Sequence, residues 1–170
     1  MTKMLDVNGI YVGYNDSPIL KEVSLHIEEG TVLALIGPNG SGKTTFIHAV
    51  SGILPLMKGS ITIDGIDLSR LNSNQRARKI SVVPQARSIP AAFTAEEVVA
   101  MGRTPYLNWL GKISDYDQQI IDEALEKMDL LPLRDRTVNE LSGGEQQRLF
   151  LARSLAQQSP LLLMDEPTTT

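Results

Sequence analysis

The chain of 170 residues contains no cysteine, which excludes disulfide bonds, thiolate zinc sites and iron–sulfur clusters. It also has no long apolar run. The longest uninterrupted ones hold about five residues, as at 32–36, whereas a membrane-spanning helix needs about 20. The N-terminal residues MTKMLDVNG lack the apolar segment of a secretory signal. Positive charge is not in excess: 16 Lys and Arg oppose 20 Asp and Glu, for a formal net charge of −4. This acidic balance argues against a protein that primarily binds nucleic acid.

The composition that remains is that of an ordinary globular protein. Hydrophobic residues make up 42% of the positions and charged residues 21%, so the chain can bury a sizeable core. No internal repeat, and no linker rich in Pro, Gly and Ser, is visible. We therefore expect one domain, or one domain with an inserted lobe.

Alternating segments dominate the first third of the chain. Apolar and polar residues alternate over residues 22–28, which predicts a strand with one buried face. Ile61 and Ile63 repeat the pattern, and Asp64 and Gly65 supply a turn after them. These segments predict a small antiparallel layer.

Other strand candidates are nearly continuous apolar runs, at residues 31–36 and 160–164, with a weaker case at 79–83. Strands buried on both faces have this composition, which indicates a central, mostly parallel sheet. Helices should cover such a sheet, and the two clearest candidates are residues 43–51 and 143–157.

The periodicity becomes helical in the middle third, and we predict an inserted helical lobe over residues 86–139, with 1–85 and 140–170 forming the α/β core. Thr94 and Glu97 fit a capping box at the start of one helix. Residues 115–129 predict another helix, with one apolar face made by Ile120, Ile121, Ala124, Leu125 and Met128. Its polar residues are expected to face water: Asp117, Asp122, Glu123 and Glu126.

Residues 37–44, GPNGSGKT, fit the P-loop pattern GxxxxGK[ST] and lie between an apolar strand and a helix, as that motif requires. The glycines let successive backbone N–H groups point into one concavity, and the helix starting near Lys43 adds its positive end. Lys43 supplies a mobile charge for the outer phosphates. The Thr44 hydroxyl suits Mg²⁺, which prefers oxygen ligands. The alternative is a glycine-rich turn without a ligand, but the complete pattern in this context favours a phosphate site.

Two carboxylates, Asp165 and Glu166, follow the apolar run that ends at residue 164. In a parallel sheet this position is the carboxyl edge, where ligands bind. Asp165 is suited to hold Mg²⁺, directly or through water, and Glu166 to polarise a water molecule against the γ-phosphate. Because surface carboxylates often follow strands, the pair alone is weak evidence. It becomes strong evidence when it occurs together with the P-loop.

A third motif, LSGGE, occupies residues 141–145. Ser142 and Glu145 form a capping box for the helix that follows. Capping does not require Gly143 and Gly144, since each glycine costs about 1 kcal/mol relative to alanine inside a helix. The glycines leave bare backbone amides beside the Ser142 hydroxyl, which predicts a second phosphate-facing helix N-terminus. Capping and phosphate binding can coexist there.

Together, GPNGSGKT, LSGGE and LLLMDE resemble the Walker A, signature and Walker B motifs of the ATP-binding subunits of ABC transporters. The resemblance covers nearly the whole chain, and the signature separates this family from other P-loop proteins. Tyr14, about two dozen residues before the P-loop, resembles the A-loop aromatic that stacks on adenine, with Tyr11 as its competitor. Gln85 in VVPQ resembles the Q-loop glutamine, which contacts Mg²⁺ or the attacking water.

The resemblance implies an α/β fold: a P-loop NTPase core with a mostly parallel sheet, a small N-terminal antiparallel β layer and an inserted α-helical subdomain. It implies ATP and Mg²⁺ as cofactors, with Thr44, Gln85 and Asp165 at the metal and with Glu166 and Gln85 as catalytic residues. Besides Tyr14, the residues expected to contact ATP are Gly37, Pro38, Asn39, Gly40, Ser41, Gly42, Lys43, Thr44, Thr45, Ser142, Gly143, Gly144 and Glu145.

The same resemblance implies that two copies of the subunit sandwich two ATP molecules head to tail. Each ATP then lies between the P-loop of one copy and the LSGGE of the other. Transmembrane permease subunits are further expected partners, and through them a periplasmic or surface solute-binding protein. The expected location is the cytoplasmic face of the cell membrane, and no nucleic-acid partner is expected.

Residues 98–106, VVAMGRTPY, followed by Gly111 and the acidic helix at Asp115, resemble importers of iron–siderophore, haem or cobalamin complexes. Import of another small solute is the main alternative, and a soluble ABC-type ATPase acting on ribosomes or DNA is an alternative of a different class. The chain ends at Thr170, before the D-loop and switch histidine of the family. It thus resembles a C-terminally truncated subunit, from which we expect weak or absent hydrolysis.

Overall fold

The computed structural model describes residues 3–83 and 91–165, apart from the side chain of Lys3. The chain divides into two compact units, Met1–Ile80 and Ser81–Thr170. The first unit contains a four-stranded antiparallel sheet in the order β2-β1-β3-β4, formed by β1 (Lys3–Tyr14), β2 (Ser17–Glu28), β3 (Lys58–Ile63) and β4 (Ile66–Asp67). This sheet confirms the predicted antiparallel layer.

A bulge in β1 keeps four apolar side chains of that strand buried. Leu5 and Val7 are buried, and so are Ile10 and Val12, although the two pairs differ in parity along the strand. The register shifts between Val7 and Ile10, where Gly9 has a φ of 52°. One extra residue in a strand reverses which face the following side chains occupy. The bulge therefore places both pairs on the core side of the sheet.

Two α-helices complete the first unit. The first, α1, spans Lys43–Val50, and its residues Phe46, Ile47, Ala49 and Val50 are buried. It packs against β1 and β2, so the apolar face of the helix fixes the end of the P-loop relative to the sheet. The second, α2, spans Ser73–Ala77. The predicted helix at 43–51 is confirmed within one residue.

The predicted strand at residues 31–36 is wrong. Neither described sheet includes these residues, and Val32 and Ile36 are 98% and 95% exposed. A continuous apolar run favours burial, but it becomes a strand only where neighbouring strands pair with its N–H and C=O groups. The described part of the chain provides no such neighbour for this run.

The second unit is built around three helices: α3 (Ala95–Ala100), α4 (Asp115–Lys127) and α5 (Gly143–Ala156). Helix α5 packs against α3 and α4 around a buried apolar cluster that includes Val98, Val99, Ile120, Ile121, Ala124, Leu125, Leu149 and Ala152. Strands β5 (Ile80–Val83) and β6 (Leu161–Met164) pair with each other. These elements confirm the predicted helices and the strands at 79–83 and 160–164. The lobe boundaries at 86–139 stay a prediction.

Across the two described ranges, no helix has the length and apolar character needed to cross a bilayer. The longest one is α5, with 14 residues.

The expectation that Asp117 faces water is wrong. Asp117 is buried, and its Oδ1 accepts a hydrogen bond of 2.9 Å from Nε of Arg103, itself only 2% exposed. The hydroxyl and backbone N–H of Ser114 donate to the other oxygen, Oδ2. The hydrogen bond from the Ser114 hydroxyl is the main cause that lowers the pKa of Asp117, and Arg103 lowers it further. The position of Asp117 in the helical pattern predicted that its side chain is exposed. The ionic contact with Arg103 instead holds the side chain in the interior.

Arg103 also closes the C-terminal end of α5. Its Nη1 donates to the carbonyl of Ala156 at 2.8 Å, and its guanidinium lies 4.0 Å from the ring centroid of Tyr106. The Tyr106 hydroxyl donates to the carbonyl of Gln157 at 3.0 Å. The last carbonyls of a helix have no partner within the helix and attract positive charge. A β-carbon on the neighbouring Gly102 would lie 2.3 Å from a carbonyl oxygen of α5, so only glycine allows this approach.

The Arg103→Ala substitution should destabilise the protein by about 3–5 kcal/mol, because it leaves the Asp117 carboxylate buried without its cation. Urea unfolding followed by circular dichroism measures this loss. The control is Lys79→Ala, which removes the cation of the more exposed pair with Asp64 and should cost less than about 1 kcal/mol. Equal losses in the two variants would contradict the assignment.

Candidate functional site

The P-loop ends at Gly42, which precedes α1 as its N-cap. Gly42 has a φ of 94°, and a β-carbon at this position would lie 2.7 Å from Cδ2 of Leu20 in β2. The left-handed backbone favours glycine here, and a β-carbon would in addition displace the end of the Leu20 side chain. The loop itself is held by a turn in which the N–H of Ser41 donates to the carbonyl of Pro38 at 3.1 Å. The chain thus enters the helix through a tight, glycine-dependent turn against the sheet.

The side chain of Lys43 folds back over this loop. Its ammonium Nζ donates to the carbonyl of Gly37 at 2.9 Å and to the carbonyl of Pro38 at 3.1 Å. The positive charge therefore lies over the loop, where the motif predicts it.

The N-terminus of α1 differs from that of every other α-helix in the described ranges. Helices α2, α3, α4 and α5 each begin with a capping box, in which a polar side chain accepts a hydrogen bond from the first turn. Helix α1 begins with Gly42, makes no side-chain cap hydrogen bond and has no acidic residue in its first turn. Nothing in its own first turn neutralises the positive end of the helix dipole, which favours an external anion.

The remaining Walker A residues surround this helix start. Asn39, Gly40 and Ser41 are exposed, Thr44 is half-buried and Thr45 is buried. Gly40 has a φ of 82°, in the left-handed region.

The residues predicted for Mg²⁺ offer oxygen ligands. Asp165, which follows β6, is buried, and its N–H donates to the carbonyl of Val83 at 3.0 Å. Among the described residues no three His, Cys, Asp or Glu side chains form a metal cluster. The hydroxyl of Thr44 in the first unit and the carboxylate of Asp165 in the second are each an oxygen ligand of the kind that Mg²⁺ prefers. Gln85 and Glu166 lie outside the described residues.

Of the two candidate aromatic residues, Tyr14 has the more accessible ring. It ends β1 and is 49% exposed, whereas Tyr11 is half-buried with Nζ of Lys58 5.6 Å from its ring centroid. Val12 pairs with Leu20, the residue that contacts Gly42, and Tyr14 follows two residues later. Two residues of a strand span about 7 Å, which separates Tyr14 from the residue paired with Leu20.

The LSGGE segment begins α5 with the predicted capping box. Oε2 of Glu145 accepts hydrogen bonds from the N–H and the hydroxyl of Ser142, each at 2.7 Å. The hydrogen bond from the Ser142 hydroxyl is the main cause that lowers the pKa of Glu145. Gly143 and Gly144 are exposed, and a β-carbon on either would meet no atom within 4 Å. Their amides therefore lie at an open surface, where a partner molecule could approach.

One positioning contact at this segment was not predicted. Nε2 of Gln146 donates to the carbonyls of Val138 and Leu141, at 3.0 and 3.1 Å. The side chain ties Val138, before the LSGGE segment, and Leu141, its first residue, to the first turn of α5. No pattern in the sequence signals this role, because a polar residue in the first turn of a helix is ordinarily solvated.

Similarity to known proteins agrees with these motifs. The hemin import ATP-binding protein of Pseudomonas entomophila is 40% identical over 171 residues, which cover 98% of this chain and 66% of that protein. The cobalamin import ATP-binding protein of Halobacterium salinarum is 39% identical over 166 residues, covering 98% and 41%. The iron(3+)-hydroxamate import ATP-binding protein of Bacillus subtilis is 34% identical over 165 residues, covering 97% and 61%. The chain thus spans about half the length of the curated relatives that it matches.

A solved nucleotide-free ATP-binding cassette from an ABC transporter superposes with a TM-score of 0.86 at 25% identity, covering 98% of this chain and 70% of that one. An inward-facing transporter described as being of the metal-chelate type superposes with a TM-score of 0.84 at 31% identity, covering 99% and 61%. The sequence profile of the ABC transporter family matches residues 20–169. The chain therefore belongs to the ABC transporter family, with the P-loop fold of its ATP-binding proteins.

Proposed function

We propose that the chain is the ATP-binding and ATP-hydrolysing part of an ABC importer. The observation that carries this proposal is the N-terminus of α1, which begins with Gly42, has no acidic residue in its first turn and lies beneath the Lys43 ammonium. A helix end of this kind, preceded by a glycine loop, favours the phosphates of a nucleotide.

In the proposed site, Lys43 exchanges its two loop carbonyls for β- and γ-phosphate oxygens. Thr44 and Asp165, together with Gln85, hold Mg²⁺, which when bound neutralises charge on the phosphates. Tyr14 offers its exposed ring to the adenine. Glu166 orients a water molecule in line with the γ-phosphate and accepts its proton.

The proposed working form contains two copies in head-to-tail arrangement. The open amides of Gly143 and Gly144 and the hydroxyl of Ser142 then face the γ-phosphate held by the P-loop of the other copy. Hydrolysis removes that phosphate and loosens the interface, which moves a transmembrane permease. The proposed location is accordingly peripheral, at the cytoplasmic face of the membrane.

The proposed cargo is an iron–siderophore, haem or cobalamin complex. The proposal is supported by the motif at residues 98–106 and by the similarity to relatives named as import proteins for hemin, cobalamin and iron(3+)-hydroxamate. A solute-binding protein that delivers this complex to the permease is the corresponding indirect partner.

Lys43→Ala should weaken Mg-ATP binding at least tenfold, because a charge-assisted hydrogen bond to phosphate contributes about 1.5–3 kcal/mol. Titration with a fluorescent ATP analogue measures the affinity. The control is Lys79→Ala, which also removes one lysine charge from the first unit but at a position far from the P-loop in the sequence. Equal affinity of wild type and Lys43→Ala would contradict the site.

Glu166→Gln should retain ATP binding and slow hydrolysis by about 10²–10⁴-fold, since the group that accepts the proton from water is lost. Single-turnover phosphate release from the protein at its full natural length measures the chemical step. Glu140→Gln makes the same isosteric change outside the site and is the control. If the Glu166→Gln variant hydrolysed ATP at the wild-type rate, Glu166 would have no catalytic role.

The importer proposal predicts that the tagged protein, purified from mildly solubilised membranes, carries a polytopic membrane protein with it. Mass spectrometry of the purified complex identifies that partner. Recovery with ribosomes or DNA, and without any membrane protein, would favour the soluble class of ABC ATPase instead.

A further inference from the structure

The two helix ends proposed to face phosphate differ in one respect: α5 already holds a carboxylate at its N-terminus. Oε2 of Glu145 accepts from both the N–H and the hydroxyl of Ser142, each at 2.7 Å, while the N–H of Glu145 donates back to the Ser142 hydroxyl at 3.4 Å. The Ser142 hydroxyl is therefore engaged by an anion of its own chain. Helix α1 has no acidic residue in its first turn and no such competitor.

This carboxylate is charged under physiological conditions. The hydrogen bonds from Ser142 lower the pKa of Glu145, and the nearby guanidinium groups of Arg148 and Arg136 lower it further. A second anion at the same helix end meets two obstacles. It must take over the Ser142 hydroxyl from Glu145, and it must approach a carboxylate whose charge Arg148 and Arg136 offset in part.

We infer that Glu145 restrains nucleotide-driven pairing of two copies, because its carboxylate closes the helix end that the γ-phosphate of the other copy must reach. This inference rests on the proposed function and deepens it. Lys43 and the α1 end attract the nucleotide within one copy, whereas Glu145 opposes its capture by the other. Pairing then depends on both nucleotides being bound with their charge neutralised by Mg²⁺.

The chain contains a matched control for this effect. Thr137 and Glu140 form a second capping box, in which Oε2 of Glu140 accepts from the N–H and the hydroxyl of Thr137 at 2.7 and 2.6 Å. This box begins the 3₁₀ turn Val138–Glu140, which lies outside the LSGGE segment. The pKa of Glu140 is also lowered by its hydroxyl partner, so both carboxylates carry a charge.

The test compares Glu145→Gln with Glu140→Gln in the protein at its full natural length. Glutamine keeps an oxygen that can accept from Ser142, but it removes the charge. Sedimentation velocity with Mg²⁺ and a non-hydrolysable ATP analogue measures the dimerisation constant. We expect Glu145→Gln to tighten dimerisation about tenfold, that is, about threefold for each of two nucleotides, and Glu140→Gln to leave it unchanged.

The salt dependence of dimerisation distinguishes an electrostatic effect of Glu145 from a structural one. Between 50 and 500 mM NaCl, screening should narrow the difference between wild type and Glu145→Gln. Melting temperatures verify that both variants are folded. If Glu145→Gln were destabilised, Glu145→Lys, which reverses the charge, should still tighten pairing at low salt.

Dimerisation of Glu145→Gln that equals wild type or is weaker would overturn the inference. So would a gain that salt does not change, an equal gain in Glu140→Gln, or no nucleotide-driven pairing in either protein. The proposed nucleotide site is tested by a different measurement, the binding of the fluorescent ATP analogue at protein concentrations too low for pairing. That proposal fails if Lys43→Ala leaves this binding intact.

Discussion

The backbone N–H groups at a helix N-terminus require an acceptor, and this requirement organises the functional parts of the chain. Four of the five described α-helices provide one from their own sequence as a capping box. Only α1 begins without one, because glycine precedes it and no acid follows within a turn. An external anion is the physical complement of such an end, and an ATP phosphate is the anion that the Lys43 side chain and the family assignment indicate.

Each helix is held by contacts that suit its task. Helix α1 is held in place near its N-terminal end. Leu20 of the sheet lies against Gly42, and Phe46 in the first turns of the helix is buried. Helix α5 is packed through Leu149, Ala152 and Ala156 and is anchored by directional polar contacts. Arg103 donates to the carbonyl of Ala156 at its C-terminal end, and Gln146 ties its first turn to the preceding segment. Apolar packing alone has little directional preference, so these polar contacts determine the axial position of the helix.

Local signals predicted most of the secondary structure. Alternation over residues 22–28, the turn at Asp64, and the capping boxes at Thr94 and Ser142 were each confirmed, because each depends on neighbours within a few residues. The two wrong expectations both involve distant partners. Residues 31–36 have the composition of a buried strand, yet they have no pairing neighbour in the described structure. Asp117 has the spacing of a solvated position, yet Arg103 draws it into the interior.

The sequence by itself determined the chemistry: the P-loop pattern, the LSGGE segment and their helices follow from residue type and spacing, since glycine conformations and capping are local properties. Tertiary structure alone decided which side chains are engaged. It places the Lys43 ammonium on two loop carbonyls, leaves the ring of Tyr14 accessible while Lys58 lies over Tyr11, and pairs the Asp117 carboxylate with Arg103 in the interior. Such pairings depend on distances between groups that the fold brings together, and no periodicity along the chain encodes them.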